Sequence, residues 1–187
     1  MTTTLAKWSL DEYHRMIDAG VLAGRNVELI EGDIIEMVPE GPEHTYREET
    51  LADRLRNAVG RQACVRVAKP ITLSDSEPEP DIAIAQGSHK TYAQRHPSAQ
   101  NLLLVVEISS STLSNDLTRK RDLYARAEVP EYWVVDLQNR RLEVFRSPSK
   151  GVYRERRFLE NTPNNIDEAI APEAFPECLI SSRVIFS

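Results

Sequence analysis

Apolar positions along this chain switch between two spacings, and the order of the switches outlines a fold. Ser9-Leu-Asp-Glu12 has the form of a capping box, in which a serine and a glutamate three residues on satisfy free backbone donors. It opens a short amphipathic helix to about Ala19, after which Gly20 and Gly24 break the chain. VELIEGDIIEMV (27–38) alternates around Glu31-Gly32-Asp33, the pattern of a β-hairpin. Beyond Pro39, Gly41 and Pro42 a second helix is predicted at about 43–59, with Leu51, Leu55, Ala58 and Val59 on one stripe. Strands are predicted at about 63–68, 70–73, 81–85 and 102–108. The run LLLVVEI in the last of these is apolar on both faces, as a central strand covered on both sides should be. The polar stretch QGSHKTYAQRHPSAQN before it has no apolar period and reads as a surface excursion near a binding site.

A helix at about 116–127 follows SSSTLSND, and EYWVVD (131–136) is a strand of aromatic and β-branched residues. Strand, helix and strand in that order demand a right-handed crossover and a parallel pair. LEVFR and VYRERRFL then form a C-terminal hairpin, and FPECLISSRVIFS adds a last short element. The class is α/β, with a mixed sheet flanked by helices.

Composition narrows the setting. At 187 residues, 41% apolar and 28% charged, the chain is expected to form one domain over 1–187, with its core at about 43–136. No apolar run approaches the roughly 20 residues that span a bilayer, and the opening MTTTLAKWSLDEYHRM lacks the apolar core of a secretory signal. Cys64 and Cys178 have no metal-type spacing, so reduced thiols in the cytoplasm are expected. A net charge of −6 counts against a strong non-specific nucleic-acid binder, leaving RKRDLYAR (119–126) and RSPSKGVYRERR (146–157) as candidate basic patches. A charge run is more often a solvated face.

Against this background Glu107 stands out, because it follows five apolar residues. An unpaired buried carboxylate costs several kcal/mol, on the order of 3 or more, so it needs a cation or a metal. Ligands in α/β sheets collect at the carboxyl ends of strands, where Glu107 would lie. Asp81 follows Pro80 in EPEPD and shares a face with the small Ala83 and Ala85. Projected on a helical wheel, Lys120 falls in the apolar stripe of Leu117, Leu123, Tyr124 and Ala127, while Arg119, Asp122 and Arg126 point the other way. An inward lysine wants a carboxylate, and Glu107 is the obvious one; Arg119 is the other cation that Glu107 can reach, and Asp116 lies one turn before Lys120. His44 and Glu48 share the stripe of the second helix, either as packed core groups or at the mouth of a metal site. Two carboxylates on neighbouring strands suit a hard divalent cation, and an ammonium beside them suits a phosphate under attack. Glycine-rich phosphate loops, nucleophile elbows, HExxH and CxxC are absent; Trp8 and Trp133 read as packing, and Ser109–Ser111 as loop and cap residues.

VELIEGDIIEM, GPEH, PEPDIAIA, LLLVVEISSST and NDLTRKRDLYARAEVPEYWVVD, in that order over roughly 9–145, resemble the PD-(D/E)XK, restriction-endonuclease-like superfamily. More narrowly, they resemble the Uma-type putative endonuclease family, catalogued as a domain of unknown function. The resemblance implies an αβββαβ core with an added N-terminal helix and hairpin. It implies that Asp81 and Glu107 bind Mg²⁺ or Mn²⁺ and that Asp81, Glu107 and Lys120 carry catalysis. Serine at 109 stands where the superfamily's lysine would be, and Lys120 looks like its substitute from the following helix. His44, Glu28 and Gly32 match the Uma-type pattern, with packing as their expected use, and Glu48 resembles the extra helix glutamate of some superfamily nucleases. The implied function is Mg²⁺-dependent hydrolysis of DNA by an endonuclease, with RNA or nucleotides sharing the same site. Two-fold symmetry would suit cutting of both strands, so a homodimer is expected. The alternative is a catalytically silent nucleic-acid-binding or scaffold protein that keeps the fold.

Overall fold

A computed structural model describes residues 4–162 and 168–186. Helix α1 (Leu10–Asp18) starts on the Ser9 capping box, with Glu12 closing the reciprocal bond. Strands β1 (Val27–Ile30) and β2 (Asp33–Glu36) form the predicted hairpin. Its two turn residues, Glu31 and Gly32, both have positive φ, which matches the twist of the flanking strands.

Helix α2 (Pro42–Val59) begins with proline in its first turn, where the missing N–H costs nothing. Strands β3 (Ala63–Val67), β4 (Ile82–Gln86) and β5 (Leu102–Ser109) follow. The crossover then runs through α3 (Leu113–Asn115), a π-helical turn (Asp116–Lys120) and α4 (Arg121–Arg126). Strands β6 (Glu131–Asp136), β7 (Arg141–Ser149) and β8 (Val152–Glu160) complete a six-stranded sheet in the order β3-β4-β5-β6-β7-β8. Among the strands of this sheet, β5 and β6 are the pair that runs parallel, as a strand–helix–strand crossover requires. The predicted C-terminal hairpin therefore extends the main sheet. Two short strands, β9 (Ala169–Ile170) and β10 (Ile180–Ser181), pair with each other, and α5 (Ser182–Phe186) is the tail's last described element; Ser187 lies outside the described residues.

Alternation along the central strands splits the core in two. Leu104, Val106, Ile108, Trp133 and Val135 pack with Leu51 and Leu55 of α2 and with Ile185 and Phe186. Ala83, Ala85, Val105, Tyr132 and Val134 pack with Leu123 and Tyr124 of α4 and with Ile30 of the hairpin. Glu107 and Asp81 share the parity of this second face, which is how two carboxylates come to lie under a helix. Register brings them together: Ala83 pairs with Val105 and Ile82 with Val106, and one step further sets Asp81 opposite Glu107.

Three expectations change. The stretch 70–73 is no strand: Ile71 and Leu73 donate back to Pro78 and Ser76 while their side chains join the core, and among the described residues its one ladder contact is the Thr72–Ser98 bridge. Pro70 has no N–H for a ladder. The excursion before β5 is anchored by buried Tyr92 and two 3₁₀ turns, and no part of it lines the cleft described below. Arg119, placed on the outer side of its helix, is half-buried, because the hairpin covers that side. It donates to Glu31 at 2.9 Å, Asp33 at 2.6 Å and the Ile30 carbonyl at 2.9 Å. Glu107 accordingly pairs with Lys120 and not with Arg119. Trp133 is fully buried, and Trp8 donates its backbone N–H to Gly32. Both cysteines are free and buried. No helix among the described residues is long and apolar enough to cross a membrane.

Gly32 is the hairpin's tightest point. A Cβ there would stand 2.8 Å from Lys7 Cβ and 3.1 Å from the Trp8 carbonyl oxygen, at a φ of +75°. Gly32→Ala is expected to cost roughly 1–2 kcal/mol or more from the left-handed backbone alone. A urea midpoint unchanged from wild type would show that the turn is not strained in this way.

Candidate active site

The residues that meet in the cleft come from five parts of the chain. β4 begins just after Asp81, whose Oδ2 accepts the backbone N–H of Ile108, so the residue following Glu107 fixes the orientation of Asp81. On β5, Glu107 is buried and its Oε1 accepts from Lys120 Nζ at 3.1 Å and from the Tyr124 hydroxyl at 2.8 Å. Oε2 takes part in neither contact. Lys120, also buried, has a second carboxylate, Glu28 Oε1 of β1, at 3.4 Å. The first turns of α2 reach the start of β4, where His44 Nε2 lies 3.3 Å from Asp81 Oδ1 and 3.9 Å from Glu40 Oε2. Asp116, buried in the π turn, accepts from Ser109 Oγ at 2.7 Å and Thr112 Oγ1 at 2.6 Å.

Asp81, Glu107, Lys120, His44 and Glu28 all line one cleft of about 670 Å³. The three residues expected to carry catalysis and the histidine are therefore in one place. Gly32 sits away from it, in the hairpin turn. Glu48 is buried one turn below His44, its Oε1 without a hydrogen-bond partner.

Two groups were not recognised in advance as part of this site. Glu40 comes from a Pro/Gly linker whose path no periodicity describes. Tyr124 registered only as part of an apolar stripe, although a phenol four residues after an inward lysine is a usable signal. The π turn matters here. It inserts one residue into the hydrogen-bond ladder, with Arg121 N–H reaching back to the Asp116 carbonyl. Asp116 and Lys120, four residues apart, are both buried in this turn, while Arg119 turns to the hairpin.

Charge balance governs the electrostatics. Burial opposes the charge on Lys120, but Glu107, then Glu28, Asp116 and Asp81, outweigh it and raise its pKa above the usual lysine range. One ammonium does not neutralise four carboxyl groups. Burial accordingly pushes Glu107 well up, with Asp81, Asp116 and Glu28 pushing the same way against Lys120. Burial also raises Asp116, against Lys120, Thr112 and Ser109. Burial disfavours the His44 imidazolium, yet Asp81, Glu40 and Glu48 more than offset this and raise it.

Such a donor set fits a hard divalent cation. One ligand atom each of Glu40, His44 and Asp81 lies within 4.8 Å of the others, and Glu107 faces Asp81 across the register.

The Uma2 family profile, described as "Putative restriction endonuclease", matches residues 10–179. The chain belongs to the Uma2 family. No curated protein matches its sequence. Among solved structures, it is similar to one from Anabaena variabilis described as a putative nuclease belonging to DUF820. That similarity has a TM-score of 0.75 at 18% identity, over 95% of this chain and 97% of that one. This Uma2 chain thus has the restriction-endonuclease-like fold, with its mixed six-stranded sheet between helices.

Burial first, then Asp81 and Glu40, pushes Glu48 up to about 7. A carboxyl that holds its proton more tightly when folded contributes its full stability below the unfolded pKa and loses it as pH rises to the folded one. In chelator, the stability of this Uma2 protein should therefore fall between pH about 4.5 and about 7. Glu48→Gln should flatten that slope and be the more stable form above it. Denaturant midpoints across this range check both; parallel curves for the two proteins would exclude the shift.

Proposed function

We propose that this protein is a divalent-metal-dependent endonuclease that hydrolyses phosphodiester bonds of DNA. The observation that carries the reading is the convergence of Asp81, Glu107 and Lys120 in a single cleft, delivered by two paired strands and the crossover helix. Asp81 and Glu107 would hold the metal, with His44 and Glu40 as further donors beside Asp81. Mg²⁺ or Mn²⁺ bound there supplies Lewis acidity towards the scissile phosphate and towards an attacking water.

The protein's own groups do the rest. Ile108 N–H holds Asp81 in place, and Tyr124 with Lys120 occupies one oxygen of Glu107 and leaves the other for the ligand. Lys120 has a raised pKa, which makes it a poor base and a persistent cation. Its role is to stabilise negative charge that develops on the phosphate. Buried free thiols suit a reducing, cytoplasmic setting. A pair of chains related by two-fold symmetry would present one cleft to each DNA strand.

A second reading is a non-catalytic scaffold, favoured by the use of basic side chains inside the protein. Arg119 and Arg126 pair with Glu31, Arg146 with Glu131 and Arg156 with Glu143, so both candidate basic patches are partly neutralised.

Plasmid nicking with Mg²⁺ or Mn²⁺ distinguishes the two. Asp81→Ala and Lys120→Ala should each lower the rate by roughly 10²–10³, the usual cost of removing a group that stabilises developing charge. Asp81→Ala should also abolish Mn²⁺ binding by calorimetry, whereas Lys120→Ala should keep it. Nicking that survives both substitutions would remove this mechanism. Mn²⁺ binding without nicking would leave the scaffold.

A further inference from the structure

Glu28 lies outside the αβββαβ core, yet it is buried against the reactive lysine. Its Oε1 stands 3.4 Å from Lys120 Nζ, and its Oε2 accepts the backbone N–H of Glu79 at 3.2 Å. The strand that carries it is firmly placed. Leu29 and Glu77 exchange backbone hydrogen bonds, and Arg119 and Arg126 tie the hairpin turn to the crossover helix. One carboxylate therefore joins the ammonium to the segment that leads, two residues later, into Asp81.

An ion pair alone does not require this group. Lys120 already has Glu107 as counter-ion, and a second buried carboxylate adds desolvation cost without a second positive charge. The arrangement makes sense if Glu107 has another obligation. Its Oε1 serves Lys120 and Tyr124, Oε2 takes part in neither contact, and the residue lines the same cleft as Asp81. A cation drawing on the charge of Glu107 would loosen its hold on the ammonium. Glu28 would keep that hold.

Resting on the endonuclease reading above, we propose that Glu28 is a positioning residue: it fixes the Lys120 ammonium in the cleft independently of Glu107, and becomes its principal counter-ion when a divalent cation is bound. Packing, the use expected for Glu28 from its place in the hairpin, is then secondary to this task.

The test is a double-mutant cycle on the full chain with Glu28→Gln and Lys120→Met, read two ways. In denaturant unfolding, the coupling between positions 28 and 120 should be larger with saturating Mn²⁺ than with chelator, while Mn²⁺ affinity by calorimetry stays as in wild type. In plasmid nicking, Glu28→Gln should lower kcat roughly 10–100-fold, the usual cost of losing a group that orients an active-site residue, with KM for DNA unchanged. In the Lys120→Met background the same substitution should have no further effect. Coupling that does not change with Mn²⁺, or losses in kcat that multiply in the double variant, would overturn the proposal. Should Glu28→Gln fail to fold, Glu28→Asp, which keeps the charge but withdraws it by one methylene, carries the same cycle. Coupling that grows with Mn²⁺ in a protein that cuts no DNA would uphold Glu28 and end the endonuclease reading; nicking without that coupling would do the reverse.

Discussion

One ammonium among several buried carboxyl groups is the constraint around which this structure is arranged. Lys120 sits between Glu107 of the sheet and Glu28 of the hairpin, with Asp81 and Asp116 adding to the field that keeps it charged. Each of these groups gives up water to be there, a loss of several kcal/mol per ion, on the order of 3 or more, if it went unanswered. Hydrophobic burial alone would not choose them. The apolar layers on either side of the sheet supply the stability that lets such a cluster persist.

That cluster explains why the N-terminal hairpin is tied to the candidate site. A bare αβββαβ core would leave Lys120 with Glu107 alone and the outer side of its helix in water. The hairpin turn meets that side through Glu31 and Asp33, which take up Arg119, Arg126 and Lys7. Its strand then delivers Glu28 inward. The outer ion pairs are half-exposed and individually weak. Together with the backbone bridge to Glu77 they set where a buried side chain lands.

Legibility from the sequence followed the same division. Glu107 and Lys120 could be singled out because each violates an apolar period, and a violation inside a strong pattern is informative. Asp81 followed from a proline-stiffened strand start and small neighbours. Elements with clear periods, such as α2, β5 and the two hairpins, emerged where the alternation placed them. What failed depended on tertiary placement: 70–73 looks extended but turns back on itself, and Arg119 faces outward on its helix only until the hairpin covers it. Glu40 carried no period at all. The π turn that carries Asp116 and Lys120 was not legible either, since an ideal wheel does not contain one.

The same charge balance bears on how an acidic protein would meet a polyanion. Seven carboxyl side chains line the cleft against Lys120 and His44, and the chain as a whole carries −6. A phosphodiester approaching that surface without help is repelled, and the arginines of 119–126 are largely engaged with the hairpin and their own neighbours. On the endonuclease reading, a cation held by these residues would precede DNA, because its charge would change the sign of the field that the phosphate meets. The ammonium of Lys120 cannot do this alone, since its charge is already answered by Glu107 and Glu28. On that reading, a cation that drew on Glu107 would leave the lysine held by Glu28, with more of its charge to offer a phosphate.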